Sequence, residues 1–284
     1  MFSKFIVSNA LSDLRNIGEE YYVNENSFEY VKKLSPANVA GMILNIGGSN
    51  INSEAKSFIK RINDNWFESV TGSAFCQRRQ QLCPEVFKDE NMKLVHNVYS
   101  QLTYLHKYNG KTLLAGDSSI ITLSNHTTTK EKYGIKSKPD AKNIVPRARI
   151  ACITDTLTNM VLSADITVTK SSEPKIAANQ ITELNNIINL NESIFMGDRG
   201  YDALELIITL LEYKSYFIIR LKESTFKTER KNLRGKDENI MANMTKGRLK
   251  NMDNQELKEK YLKKGRIPLR IIEIPLEKED GTIE

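Results

Sequence analysis

The chain is poor in the residues from which disulfide frameworks, zinc sites and histidine-centred catalysis are built. Its three cysteines, Cys76, Cys83 and Cys152, form an odd count without paired spacing, which argues against a disulfide scaffold or a cysteine-based zinc site. Its three histidines, His96, His106 and His126, stand singly, which leaves little for a Ser-His-Asp triad. No apolar run approaches the roughly 20 residues of a membrane span. The stretch from Met1 to Ser8 carries one lysine and too short an apolar run for a signal peptide. These absences predict a cytoplasmic protein with no membrane partner. No internal repeat is found.

What is present is an ordinary globular composition with unevenly placed charge. At 284 residues and 40% hydrophobic content, the chain can hold one large domain or two to three smaller ones. The formal charge of +6 is moderate. Between Lys222 and Arg266, however, 14 Lys/Arg face 7 Asp/Glu, and between Thr127 and Arg149 7 basic residues face 2 acidic ones. Two basic segments on an acidic background suit phosphate-backbone contact. They suit solvated lysine-rich loops equally well, and charge alone does not choose.

The first hundred residues read as helical. Ser35-Pro36 is a helix start, with serine as N-cap and proline in the first turn. Val39, Ile43 and Ile46 follow at helical spacing, and Gly47-Gly48 stops the run. Ala55, Phe58, Ile59 and Ile62 mark a second helix, and Ala74 to Arg79 lies in a third. Pro84 opens a fourth, with Leu94, Val95, Val98 and Leu102 as its stripe, and Tyr108 to Lys111 is a turn. The pattern then changes to strands at Thr112–Leu123, Ala148–Asp155 and Met160–Val168, the last two joined by a turn at Thr156–Asn159. A helix over Pro174–Leu190, a strand over Ser193–Met196, a helix over Tyr201–Glu212 and a strand over Tyr216–Leu221 complete one sheet with helices packed on it. Beyond Lys222 periodicity weakens to about Gly247. A charged helix over Gln255–Lys264 and a strand over Ile267–Leu276 follow, the latter turning at Glu279–Gly281 into Thr282–Glu284. That tail reads as a hairpin whose second strand has barely begun, which leaves an edge open.

Two aspartates follow apolar, strand-like runs. Asp117 stands in Leu113-Leu114-Ala115-Gly116-Asp117-Ser118-Ser119, and Asp198 in Ile194-Phe195-Met196-Gly197-Asp198-Arg199-Gly200-Tyr201. If their strands are neighbours, the two carboxylates meet, as two-metal phosphodiester chemistry requires. Mg²⁺ takes oxygen ligands and keeps several waters, so few protein ligands suffice. The competing structural roles are a strand-edge Asp117 bonded to Ser118 or Ser119, and Asp198 as a helix cap. Asp155 and Asp165 are nearby acids with turn or surface roles.

The Gly-Asp-Arg-Gly-Tyr string, the helical front and the strand order together resemble the DDE transposases of bacterial insertion sequences, most closely the IS-four group. In that group the first catalytic aspartate lies in Asp-Gly-Ser or Asp-Gly-Thr; here the match is Asp117-Ser118-Ser119, with serine in place of the glycine. The second lies in Asp-Arg-Gly-Tyr, matched by Asp198 to Tyr201. The strand Tyr216–Lys222, Leu44 to Gly48 and Ala74 to Arg79 also resemble family segments, so the likeness spans most of the chain.

The resemblance implies a mixed α+β fold. A helical N-terminal domain, a candidate for DNA binding, would span residues 1–108, an RNase H-like mixed sheet with helices 109–224, and the beginning of a β-rich insertion 225–284. It implies Asp117 and Asp198 as catalytic metal ligands for Mg²⁺ or Mn²⁺. It implies double-stranded DNA as partner (inverted-repeat ends and target), a homodimer on paired ends and a nucleoid-associated location. Arg78, Arg79, Arg199, Arg220 and Lys222 become DNA-contact candidates, with a structural salt bridge the alternative for Arg199 and Arg220. In the family, metal-activated water cuts at the element's ends and the freed 3′-hydroxyl attacks target DNA. The family's third acid, a glutamate, belongs to a signature of tyrosine, two residues, arginine, three residues, glutamate, six residues, lysine. That spacing is absent here: Tyr261 is the sole tyrosine after Tyr216, and Lys264 stands at the arginine position. The expectation is a transposase truncated before its glutamate and inactive alone, or a catalytically dead DNA-binding regulator. An RNase H-like nuclease of another kind is a third reading. A sheet lacking the glutamate helix is expected to expose an apolar patch.

Overall fold

The computed structural model describes residues 12, 14–29, 33–62, 70–101, 105–136, 144–231, 233 and 235–274. The chain divides into two compact units, Met1–Tyr104 and Leu105–Glu284. No helix among the described residues is long and apolar enough to cross a membrane.

The first unit is helical, as its apolar spacing predicts. Helix α1 spans Pro36–Asn45, α2 Ile51–Ile62, α3 Gly72–Arg79 and α4 Glu85–Gln101. The Ser35 hydroxyl accepts from the Asn38 amide at 3.1 Å, and Gly48 takes φ +90° after the helix ends, where a side chain would be strained. The Thr71 hydroxyl caps α3 by accepting from the Ala74 amide. Val39, Met42, Ala55, Ile59, Phe75 and Val86 form its core. Val95 is buried as expected. The side chains of Ile62 and Leu102, expected on two of the stripes, lie outside the described residues.

The second unit is built on one mixed sheet. Strand β1 runs Thr112–Thr122, followed by α5 (Thr127–Tyr133), β2 (Gly134–Lys136), β3 (Ile144–Asp155) and β4 (Met160–Val168). Helix α6 (Glu173–Leu184), β5 (Ser193–Gly197), α7 (Leu204–Glu212) and β6 (Tyr216–Ile219) follow. The spatial order is β4-β3-β1-β5-β6, with β2 on the first residues of β3. The pairs β4–β3 and β3–β1 are antiparallel, whereas β1–β5 and β5–β6 are parallel. This is the RNase H-like order of the mixed α+β fold that the resemblance implies. Leu114, Ile153, Leu162, Ile181, Phe195 and Leu206 are fully buried, where the sheet and its covering helices share a core. The Gln180 amide donates to the Ala151 carbonyl at 3.0 Å, tying α6 to β3.

Three boundaries depart from expectation. Helix α6 stops at Leu184, not Leu190, because Asn185-Asn186 leave the helix and Leu190–Glu192 forms a separate 3-10 turn. The helix expected from Tyr201 is split into a 3-10 turn, Arg199–Tyr201, and α7. Between them Asp202 turns inward, its Oδ2 accepting from the Lys222 amide at 2.7 Å and from the Thr225 hydroxyl. Strand β6 ends at Ile219, opposite Gly197, where its partner β5 also ends.

The weakly periodic stretch after Lys222 contains α8 (Lys227–Lys231) and a strand, β7 (Asp237–Asn243). Helix α9 (Gln255–Lys264) and β8 (Arg266–Ile272) follow. Strand β8 pairs antiparallel with β7, from Asp237↔Ile272 to Asn243↔Arg266. Its partner thus precedes it; the expected turn at Glu279–Gly281 and strand at Thr282–Glu284 lie outside the described residues. Ile207 and Ile208 of α7 pack with Met244, Leu249, Met252, Tyr261, Ile267 and Ile271. Glu205 Oε1 accepts from the Asp253 and Asn254 amides at the head of α9. Arg248 grips Glu229 with both terminal nitrogens, at 2.6 and 2.8 Å.

One face of the sheet is open. Ile218 is 67% exposed and Ile166 60%. Tyr216, Val161 and Val168 are exposed beside them. Isolated exposed apolar residues are ordinary, but several on one sheet form a patch.

Two outcomes are expected. The purified chain should enhance the fluorescence of an apolar-surface dye at neutral pH, and the double substitution Ile166→Lys, Ile218→Lys should lower that signal. Both sites being exposed, stability should change by less than about 0.5 kcal/mol per site. The bond from Arg248 holds the Glu229 carboxyl below its ordinary value. Its contribution is therefore complete above the ordinary carboxylate range and fades as pH falls through the depressed value. Glu229→Gln should cost about 1–2 kcal/mol at pH 7 by denaturant titration, and the difference from wild type should shrink in acid.

Candidate active site

Parallel pairing of β1 and β5 sets the site. The register runs from Thr112↔Ser193 to Ala115↔Met196. One step further along each strand stands a glycine, Gly116 and Gly197; two steps further stand Asp117 and Asp198. Asp198 keeps an extended backbone, so side-chain alternation carries it to the side of Met196, as it carries Asp117 to the side of Ala115. Both aspartates are exposed. Through Met196↔Ile218 that is also the face of the exposed Ile218. Two motifs far apart along the chain thus converge at one end of the sheet, with Asp117 opposite Cys152 of β3.

The two glycines are required by what lies behind them. A Cβ on Gly116 would fall 2.8 Å from the Phe195 ring and 3.1 Å from the Tyr201 ring. A Cβ on Gly197 would fall 2.8 Å from Tyr201 Cβ and 3.1 Å from the Phe195 ring. The two rings meet edge to face with centroids 5.9 Å apart. Each aspartate thus follows a residue whose missing side chain lets an aromatic residue close against the back of the sheet.

The turn after β5 is held by Asp198 itself. Its Oδ1 accepts from the Gly200 amide at 2.7 Å, capping the Arg199–Tyr201 turn. The capping role and exposure toward solvent coexist, because Oδ2 is left for another partner. Asp117 makes no such bond to its neighbours: Ser118 instead donates to Glu173 Oε1 at 2.9 Å. Arg149 donates to both Ser118 and Glu173.

Charge is concentrated around one phenol. Burial, then the carboxylates of Glu173, Asp117 and Asp198, push the Tyr201 hydroxyl well above its ordinary value, opposed by Arg149. Burial, then Asp117 and Asp165, push the Cys152 thiol up. Tyr201 therefore stays a neutral phenol, and Cys152 a thiol rather than a nucleophilic thiolate.

The donor set suits a hard divalent cation in part. Two exposed carboxylates on adjacent strands fit Mg²⁺ or Mn²⁺, which retain waters. Among the described residues no group of three His, Cys, Asp or Glu side chains could hold a metal ion. Glu173 is nearby, but its carboxylate is taken by Arg149 and Ser118.

The predicted basic residues fall in two places. The Arg220 amide donates to the Gly197 carbonyl at 3.1 Å, so Arg199 and Arg220 stand at the ends of β5 and β6 next to Asp198; Lys222 follows, its amide bonded to Asp202, and all three are exposed. Arg78 and Arg79 belong to the first unit. Arg78 donates to Gln81 at 2.9 Å and lies 5.6 Å from the Phe28 ring centroid. Arg79 lies 5.9 Å from that of Phe75. Tyr261, tested against the missing signature, is a core residue of α9 whose hydroxyl donates to Glu212.

Sequence reasoning did not find Arg149, Glu173 or the paired glycines. The Gly-Asp dipeptide occurring twice after an apolar run was the available signal for the glycines. Arg149 and Glu173 had none, being remote from both aspartates in sequence.

The family model described as "Transposase DDE domain" matches residues 108–275. No curated protein sequence matches the chain. Among solved structures, the chain is similar to the Mos1 transposase paired-end complex with left transposon end, at 10% identity and TM-score 0.27, over 71% of this chain and 70% of that one. It is similar to the Mos1 mariner paired end complex with Mn at 11% identity and TM-score 0.26, over 71% and 70%. It is also similar to the piggyBac transposase synaptic complex with hairpin DNA, at 12% identity and TM-score 0.36, over 79% and 55%.

Gly197→Ala should destabilise the second unit by about 1–3 kcal/mol, because Tyr201 Cβ is fixed to its backbone and cannot yield as a side-chain tip would. Chemical denaturation followed by tyrosine fluorescence measures it; an unchanged midpoint would mean that the ring does not lie against the sheet.

Proposed function

The chain belongs to the transposase DDE domain family, and on that premise we propose that it acts on the ends of an insertion sequence of the IS-four group. Asp117 and Asp198 are its metal-binding carboxylates, and the chemistry is metal-dependent phosphodiester hydrolysis and strand transfer. The observation that carries the reading is the placement of the two aspartates at matching positions of adjacent parallel strands, exposed on the open face of the sheet. When bound there, Mg²⁺ or Mn²⁺ supplies Lewis acidity at the scissile phosphate. The chain's own residues do the rest. Asp117 is held by the β1–β3 and β1–β5 ladders, and Asp198 by its bond to the Gly200 amide. Arg199 and Arg220 at the end of the sheet, and Lys222 after them, offer cations to the DNA backbone. Arg78 and Arg79 offer DNA contacts of their own from the helical domain at 1–108, and the catalytic core spans 109–224. The segment 225–284, with β7, α9 and β8, belongs to the β-rich insertion. The active species is a homodimer on paired ends.

For these 284 residues alone we expect end binding without strand transfer, since the described residues bring together two site carboxylates and not three. That observation also favours a second reading, in which the chain binds element ends as a regulator without catalysis. Both rest on DNA recognition and differ in metal binding at the aspartates.

Manganese binding by the purified chain, followed by electron paramagnetic resonance, tests the site. Wild type should bind Mn²⁺, and Asp117→Asn and Asp198→Asn should each weaken binding by at least about tenfold, as loss of a charged ligand implies. Binding to duplex carrying the element's inverted repeats should survive in both variants. Mn²⁺ binding that ignores both substitutions would remove the site. Efficient joining of element ends by the wild-type chain would remove the claim of inactivity.

A further inference from the structure

We infer that Glu173 is a positioning residue that couples the two aspartate-bearing segments to each other, with Arg149 neutralising the charge it brings. The inference rests on the reading of Asp117 and Asp198 as the metal-binding pair.

The geometry is a bridge. Glu173 is the first residue of α6, and its two oxygens face different segments. Oε1 accepts from Ser118, the residue after Asp117, at 2.9 Å. Oε2 lies 2.5 Å from where a Gly200 Cβ would stand, while Asp198 Oδ1 lies 2.9 Å from the same point. Gly200 is the residue whose amide fixes Asp198. One carboxylate thus braces β1 just past the first aspartate and abuts the turn that orients the second. A side chain at position 200 would be driven into it.

Ser118 is also where the chain departs from the Asp-Gly-Ser pattern of the IS-four group. Its hydroxyl receives from Arg149 at 2.5 Å and donates to Glu173. The departure is therefore built into the bridge: a glycine there would remove the link between β1 and α6. Arg149, reaching from β3, completes the triangle and also donates to the Thr169 carbonyl at 3.4 Å.

Electrostatics requires the arginine. A third carboxylate beside two aspartates would repel them, and its pairing with Arg149, whose side chain is only 14% exposed, removes that repulsion. Removing the Glu173 charge alone leaves the Arg149 cation uncompensated beside the site, where it opposes a bound divalent cation. Removing both charges restores balance.

Two readouts test the inference on the full chain. Labelling with carbonyl-¹³C arginine and ¹⁵N glycine marks the Arg-Gly pairs, Arg199–Gly200 and Arg234–Gly235, the second serving as an internal control. Glu173→Ala should shift the Gly200 amide signal and leave Gly235 in place; Ser118→Gly should shift it less, and Glu173→Gln, which keeps the shape, least. A Gly200 signal unmoved in Glu173→Ala would overturn the bridge. In the second readout, Glu173→Gln should weaken Mn²⁺ binding on the order of tenfold, and Arg149→Gln combined with it should recover binding to within about threefold of wild type. Unchanged binding in Glu173→Gln, or no recovery in the double variant, would overturn the charge argument. If wild type binds no Mn²⁺, the reading of the aspartates fails, and the Gly200 signal alone decides the role of Glu173.

Discussion

The parallel pairing of β1 with β5 is the constraint on which the rest of the site depends. Its register brings two aspartates, far apart in sequence, to matching positions on neighbouring strands. The pairing tolerates no side chain at Gly116 or Gly197, because Phe195 and Tyr201 occupy the space behind them. Those rings belong to the segment that carries Asp198, so the same residues that build the core also set where its carboxylate emerges. A slip of β5 by one residue against β1 would turn Asp198 to the buried face and part it from Asp117, which β3 holds in register.

Burial and exposure are divided cleanly by strand alternation. Leu114 and Phe195 are fully buried on one face of the sheet, while Ala115, Met196 and Ile218 align on the other with Asp117. That open face carries both the candidate chemistry and an apolar surface. The side chains that would hold a cation therefore stand at a solvent-exposed surface, open to a ligand and to water. The buried side supplies rigidity through packing, with Arg149, Ser118 and Glu173 as the polar link around its edge.

Much of the fold was legible from periodicity. The helical front, the turn at Tyr108–Lys111, the three antiparallel strands and α9 follow from apolar spacing, caps and turn residues. Boundaries failed where long-range contacts intervened: the helix expected from Tyr201 is split where the Asp202 carboxylate accepts from the Lys222 amide. Strand β7 was missed because it buries Ala242 alone among its residues, so its alternation is carried by pairing with β8 rather than by a hydrophobic pattern.

The sequence by itself determined that Asp117 and Asp198 end apolar strand-like runs, and that Asp-Arg-Gly-Tyr follows one of them. It also determined which stretches are basic. Only the tertiary structure decided that the two strands are parallel neighbours in register, that Arg199 and Arg220 share the end of the sheet with Asp198, and that Glu173 touches both segments. The physical reason is separation along the chain. Local propensity and periodicity report on neighbours a few residues apart, whereas the bond between Ser118 and Glu173 spans 55 positions. Such a bond exists only once the sheet has closed β1 against β3 and β5 and α6 has packed behind them.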